Sequence, residues 1–78
     1  MDDDYELITS PLSQFVTRDG YTVEVCIYRG PESQWILEVV DERGGSTVWN
    51  EEFSSDKAAF SEFEKTLDED GIRSFEVE

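Results

Sequence analysis

The sequence contains no histidine and a single cysteine, Cys26. Without an imidazole it lacks the commonest general base, so nucleophilic catalysis of the Ser–His or Cys–His kind is not expected. A lone cysteine excludes an internal disulfide, and Cys26, set within an apolar run, is expected to be a buried free thiol. Cations are scarce too. Only 6 Lys+Arg stand against 20 Asp+Glu, for a formal net charge of -14 in 78 residues. Phosphates would repel such a surface, so direct binding to nucleic acid or to an anionic membrane is not expected. No apolar run approaches membrane-spanning length. The start, Met-Asp-Asp-Asp, is the reverse of a secretory leader, so a cytoplasmic location is expected.

Self-repulsion on this scale opposes compaction. High net charge with low hydropathy often means disorder, yet hydrophobic residues make up 37% of the chain and aromatics 13%, and they come in patterned runs. Trp35, Trp49, Phe15, Phe53, Phe60, Phe63 and Phe75 are enough to fill one small core. The expected organisation is an acidic, flexible N-terminal segment over residues 1–11 and a single α+β domain over residues 12–78.

Residues 12–18 read as a short strand, and Asp19-Gly20 as the hairpin turn that follows it. The clearest strand is 21–29, with Tyr21, Val23, Val25 and Ile27 on one face and Thr22, Glu24, Cys26 and Tyr28 on the other. Gly30-Pro31-Glu32-Ser33 is turn chemistry. Residues 34–41 give a third strand, with Trp35, Leu37 and Val39 on one face and Ile36, Glu38 and Val40 on the other. A fourth is expected over 46–52 after the turn at Glu42-Arg43-Gly44-Gly45. The period then changes. Ser54 or Ser55 can cap a helix, with Asp56 favourable in its first turn and Ala59, Phe60, Phe63 and Leu67 forming an apolar stripe. Gly71 terminates it. Residues 72–78 read as a closing strand, Phe75 and Val77 inward, Glu76 and Glu78 outward. The expected fold is therefore an antiparallel meander of four to five strands with one helix on one face, in the order β-β-β-β-α-β.

A calcium loop can be tried on residues 66–71. With Gly71 in the glycine position, Asp68 and Asp70 fall on ligand positions. The first ligand is then Thr66 and the bidentate position Val77, because Glu76 comes one residue early, so the register fails. No metal, cofactor or enzymatic activity is expected. The same acids remain odd for a helix end: Asp68, Glu69 and Asp70 put three negative charges at the negative pole of the macrodipole. They form an acidic knob that a basic partner could read. Tyr28, sharing a face with Glu24, is a candidate interface anchor.

Alternate residues on a strand lie roughly 6.5–7 Å apart, and residues four apart on a helix rise about 6 Å. These spacings are comparable with that of successive phosphates, so acids at such positions can occupy several Lys or Arg sites of a nucleic-acid channel. Glu76, Glu78 and Glu24 offer strand spacing, and Glu62, Glu64, Asp68 and Glu69 the helix side. A tiny, acidic, single-domain chain with no catalytic motif resembles the DNA-mimic anti-defence proteins of phages, and among them the small anti-CRISPR proteins. The resemblance covers size and charge over the whole chain and rests on no motif. It implies a non-enzymatic inhibitor that binds the basic nucleic-acid path of a CRISPR surveillance complex and blocks DNA access. The partner-binding residues expected for such a role are Asp68, Glu69, Asp70, Glu62, Glu64, Glu76, Glu78, Glu24 and Tyr28. The alternative is a host-encoded acidic adaptor or regulatory protein for one basic partner. A homodimer is open on either reading, since Ile36, Val40 and Val48 could leave an apolar patch away from the helix.

Overall fold

The computed structural model describes residues 7–75. The sheet is built from β1 (Ile8–Thr9), β2 (Gln14–Arg18), β3 (Tyr21–Arg29), β4 (Ile36–Val40) and β5 (Ser46–Val48), and is followed by α1 (Asp56–Asp70). All pairings are antiparallel, in the order β1-β3-β4-β5, with β2 beside β1 on the same edge of β3. The fold class is the expected one: α+β, an antiparallel meander with one helix across one face.

The Asp19-Gly20 turn fixes the first hairpin. Both residues take positive φ, 57° and 78°, which a two-residue type I′ connection requires and which Gly supplies without strain. Arg18 pairs with Tyr21, and Phe15 therefore stands opposite Glu24.

The first edge strand is longer than expected but broken. Ile8 and Thr9 already pair with Arg29 and Tyr28, so the sheet begins before residue 12. The remainder of the expected N-terminal segment, residues 1–6, lies outside the described residues. Between β1 and β2, residues 10–13 bulge opposite only Cys26 and Ile27, and two serine hydroxyls complete the bonding. Ser13 Oγ accepts from Ile27 N–H at 3.0 Å and donates to Ile27 C=O at 3.2 Å. Ser10 is buried; its Oγ accepts from Leu12 N–H at 3.0 Å and donates to Asp56 Oδ2 at 2.7 Å. That bond ties the edge of the sheet to the first turn of the helix. Ser10→Ala strands a carboxylate oxygen and a backbone N–H, and is expected to cost about 1–3 kcal/mol. Urea denaturation measures it; a loss under about 0.5 kcal/mol, typical of a surface change, would show that water replaces the hydroxyl freely.

The fourth strand is shorter than the sequence indicates. Regular pairing stops at Val48, and the chain returns to the sheet at an isolated Trp35–Phe53 bridge, two residues out of register with β4–β5. Ser55 is the N-cap, its Oγ accepting from Ala58 N–H at 3.0 Å. Gly71 closes the helix with φ 86° and ψ 163°, a region essentially reserved for glycine, while its N–H donates to Leu67 C=O at 2.9 Å.

The closing strand needs correction. Ile72–Phe75 is a 3-10 helix. Ile72 and Phe75 are both buried, and a spacing of three superposes them on one side of a 3-10 turn, whereas a strand would send them to opposite faces. The rest of that expected strand, with Glu76, Val77 and Glu78, lies outside the described residues.

One core results. Val23, Val25, Ile27, Leu37 and Val39 from the sheet meet Ala59, Phe63 and Leu67 from the helix, with Ile72 and Phe75 closing the end. Phe60, Trp35, Trp49 and Phe53 pack around it, partly buried. Phe63 is its centre, with ring centroids 5.3 Å from Phe75 and 5.7 Å from Phe60.

Candidate functional site

Because the helix covers one face of the sheet, no described element covers the other, and strand alternation decides what stands on this open face. The registers place Phe15, Glu24, Val40 and Ser46 in one cross-strand row, Cys26, Glu38 and Val48 in the next, and Thr9, Tyr28 and Ile36 in a third. Phe15 is 69% exposed, Leu7 55% and Val48 50%, so the face presents large apolar groups to solvent. Two open hollows flank Glu24. One, of about 480 Å³, is bordered by Leu7, Cys26, Tyr28 and Glu38; the other, of about 260 Å³, lies between Phe15 and Val40.

Polar groups on this face are held in place. Tyr28 Oη donates to Glu38 Oε1 at 2.9 Å, and the Thr17 and Thr22 hydroxyls bond each other across the strands at 2.8 Å. At the rim, Glu42 accepts from Thr22 N–H at 2.8 Å. Cys26 is partly exposed, not fully buried as the apolar run indicated. Its thiol titrates above the usual thiol range, through burial first and then the nearby Glu24 and Glu38 charges. A thiol held protonated in this way is a poor nucleophile.

The helix acids lie on the opposite side of the molecule. Asp68, Glu69 and Asp70 are exposed in the last turn, which contains no base. Glu64 is exposed and Glu62 half-buried one and two turns earlier. Asp68 is not a bare charge: Arg18 Nη1 lies 3.3 Å from its Oδ1, with both side chains largely in water, where such a pair contributes little. The outward face of the helix is mixed in sign, since Lys57 and Lys65 are exposed on it with Glu64 and Asp68. The helical placement of Asp68 and Asp70 also removes the loop that a calcium reading needs.

The site residues expected from sequence thus divide. Glu24 and Tyr28 stand together on the open sheet face; Glu62, Glu64, Asp68, Glu69 and Asp70 gather along the helix and its end; Glu76 and Glu78 lie outside the described residues. The two groups are separated by the sheet and cannot contact one flat surface together. Phe15, counted from the sequence among the core aromatics, is instead exposed on this face, because the hairpin register sets it opposite Glu24. Glu38, placed on the outer face by alternation, was not among the expected partner-binding residues.

Comparison with known protein families, with curated proteins and with solved structures returns no match. Among the described residues no helix is long and apolar enough to cross a membrane. Nor do three or more Cys, Asp or Glu side chains among them gather as a group that could hold a metal ion.

Proposed function

We propose that this protein is a non-enzymatic inhibitor that binds a basic, nucleic-acid-handling protein complex and excludes DNA from it, a CRISPR surveillance complex being the case its size and charge resemble. The observation that carries this reading is the placement of the acids. Asp68, Glu69 and Asp70 stand exposed at the negative end of the helix dipole with no base in that turn, an arrangement that lowers stability. A domain of this size has little stability to lose, so acids placed against the dipole are better explained by an external cationic surface that attracts them. Such attraction raises association rates and selects against the wrong partners.

The test is competition. Purified nucleic-acid-handling complexes, CRISPR surveillance complexes among them, are titrated with fluorescent target DNA with and without this protein. The expected result is at least about a tenfold loss of apparent DNA affinity for one complex, on the scale of the mass action set by a tight competitor. Unchanged DNA binding by every complex at saturating protein would sink the inhibitor reading. Binding to a complex that leaves DNA access intact would point instead to a regulatory adaptor.

A further inference from the structure

The chain's six cations are distributed unevenly. Arg18, Arg29, Lys57, Lys65 and Arg73 all lie on the helix side: Arg18 against Asp68, Arg29 over the Trp35 ring at 5.3 Å, Arg73 over the Tyr21 ring at 4.9 Å, and both lysines on the helix itself. Arg43 sits in the turn between β4 and β5. None lies in a strand row of the open face, which carries Glu24 and Glu38 at its middle, while Glu42 stands at its rim, next in the chain to Arg43.

We infer that this open face is the docking surface, and that its occupant is a cationic, amphipathic segment of the partner protein. The inference rests on the basic-partner reading above, in which the helix-end acids steer the partner's approach from a distance, and it assigns the close contacts to the sheet face. Two features of the face call for two features in the occupant. Phe15, Val48 and Leu7 offer apolar area that only apolar side chains can cover to advantage. Glu24 and Glu38 would be brought under that cover, and carboxylates lose more on desolvation than they regain unless a cation meets them. Arg and Lys satisfy both demands, since their aliphatic stems lie along apolar surface while their charged ends reach carboxylates. The hollows on either side of Glu24 provide room for such stems.

A second copy of the chain fails the same requirement. Two open faces laid together would bury Glu24 and Glu38 of both copies with no cation from either face, and juxtaposed like charges oppose the pairing. Nucleic acid fails it for the same reason.

The experiment maps binding on the full-length, isotope-labelled protein by amide chemical shifts. The probe is a short peptide of alternating arginine and leucine; the controls alternate glutamate with leucine and arginine with serine. The arginine–leucine peptide is expected to shift the signals of Phe15, Glu24, Cys26 and Glu38, and both controls to bind at least about tenfold more weakly. Phe15→Ser, and separately Glu24→Gln with Glu38→Gln, should each weaken binding about tenfold, and Ser61→Ala, on the exposed side of the helix, should leave it unchanged. Shifts confined to residues 68–70 would overturn the face assignment while leaving the basic-partner reading intact. Absence of any shift would overturn that reading as well, and equal binding of the glutamate–leucine peptide would remove its charge basis. Concentration-dependent dimerisation that shifts the same sheet signals would show that a second copy is the occupant and overturn the proposal.

Discussion

Phe63→Ala is expected to remove about 3–5 kcal/mol of stability, the usual range for deleting a fully buried aromatic side chain. Phe63 is 1% exposed and lies between Phe60 and Phe75 in the ring cluster that joins helix to sheet. At about 0.05–0.15 kcal/mol per residue, a domain of this length holds only about 4–12 kcal/mol in total. Self-repulsion among the acids draws on the same reserve. The variant is therefore expected to be largely unfolded near 37 °C, or to melt far below the parent. Phe15→Ala is the matched control. The same residue type, 69% exposed on the open face, should change stability by no more than about 0.5 kcal/mol. Thermal and urea unfolding, followed by circular dichroism, compare the two directly. Comparable losses at both positions would mean that Phe15 is covered, by a second copy or by the chain itself, and that the open face is not open.

The contrast between these two phenylalanines also marks what could be read from the sequence. Nine alternating residues in β3 set the inner and outer faces unambiguously, and the Asp19-Gly20 turn, the Ser55 cap and the Gly71 stop each act within a few residues. Such short-range signals survive in a string of letters. The Ser10–Ser13 bulge does not, because its reason lies elsewhere: Ser13 serves Ile27, and Ser10 serves Asp56, 46 residues away. The last segment shows a different failure. An apolar residue at 75 and another at 77 satisfy the strand period, while those at 72 and 75 satisfy a 3-10 turn, and in so short a run period alone does not choose. Packing chose, since Phe75 stacks on Phe63 and lies 6.1 Å from Trp49 while Ile72 closes the end of the core. The candidate site followed the same division. Glu24 and Tyr28 shared a face by alternation, but that the helix acids stand on the other side of the sheet depends on which face the helix covers. That choice was made by Val23, Val25 and Ile27 together with Leu37 and Val39. The even spread of cations along the sequence, from Arg18 to Arg73, likewise conceals their absence from one face.

Raising salt from about 0.1 M to about 1 M, which shortens the screening length from about 10 Å to about 3 Å, is expected to move folding and binding in opposite directions. Within the free protein the dominant long-range interaction is repulsion, with 20 acids against 6 bases, and the Arg18–Asp68 pair is too exposed to offset it. Screening should therefore raise the melting temperature by several degrees, corresponding to about 1 kcal/mol in a domain of this size. Between this protein and a basic complex the dominant interaction is attraction, and the same screening should slow association by about a hundredfold, the difference between steered and unsteered encounter. Dissociation should change far less, because close apolar contacts such as those proposed for Phe15 are not screened. Stopped-flow or surface-based kinetics at the two salt concentrations, alongside thermal unfolding, give both signs from one preparation. If the acids served only to keep the protein in solution, the melting temperature would still rise, but the association rate with the basic complex would hold within about a factor of two or three. That combination would leave the charge with no part in recognition, and Asp68, Glu69 and Asp70 as nothing more than a hydrated end of a helix.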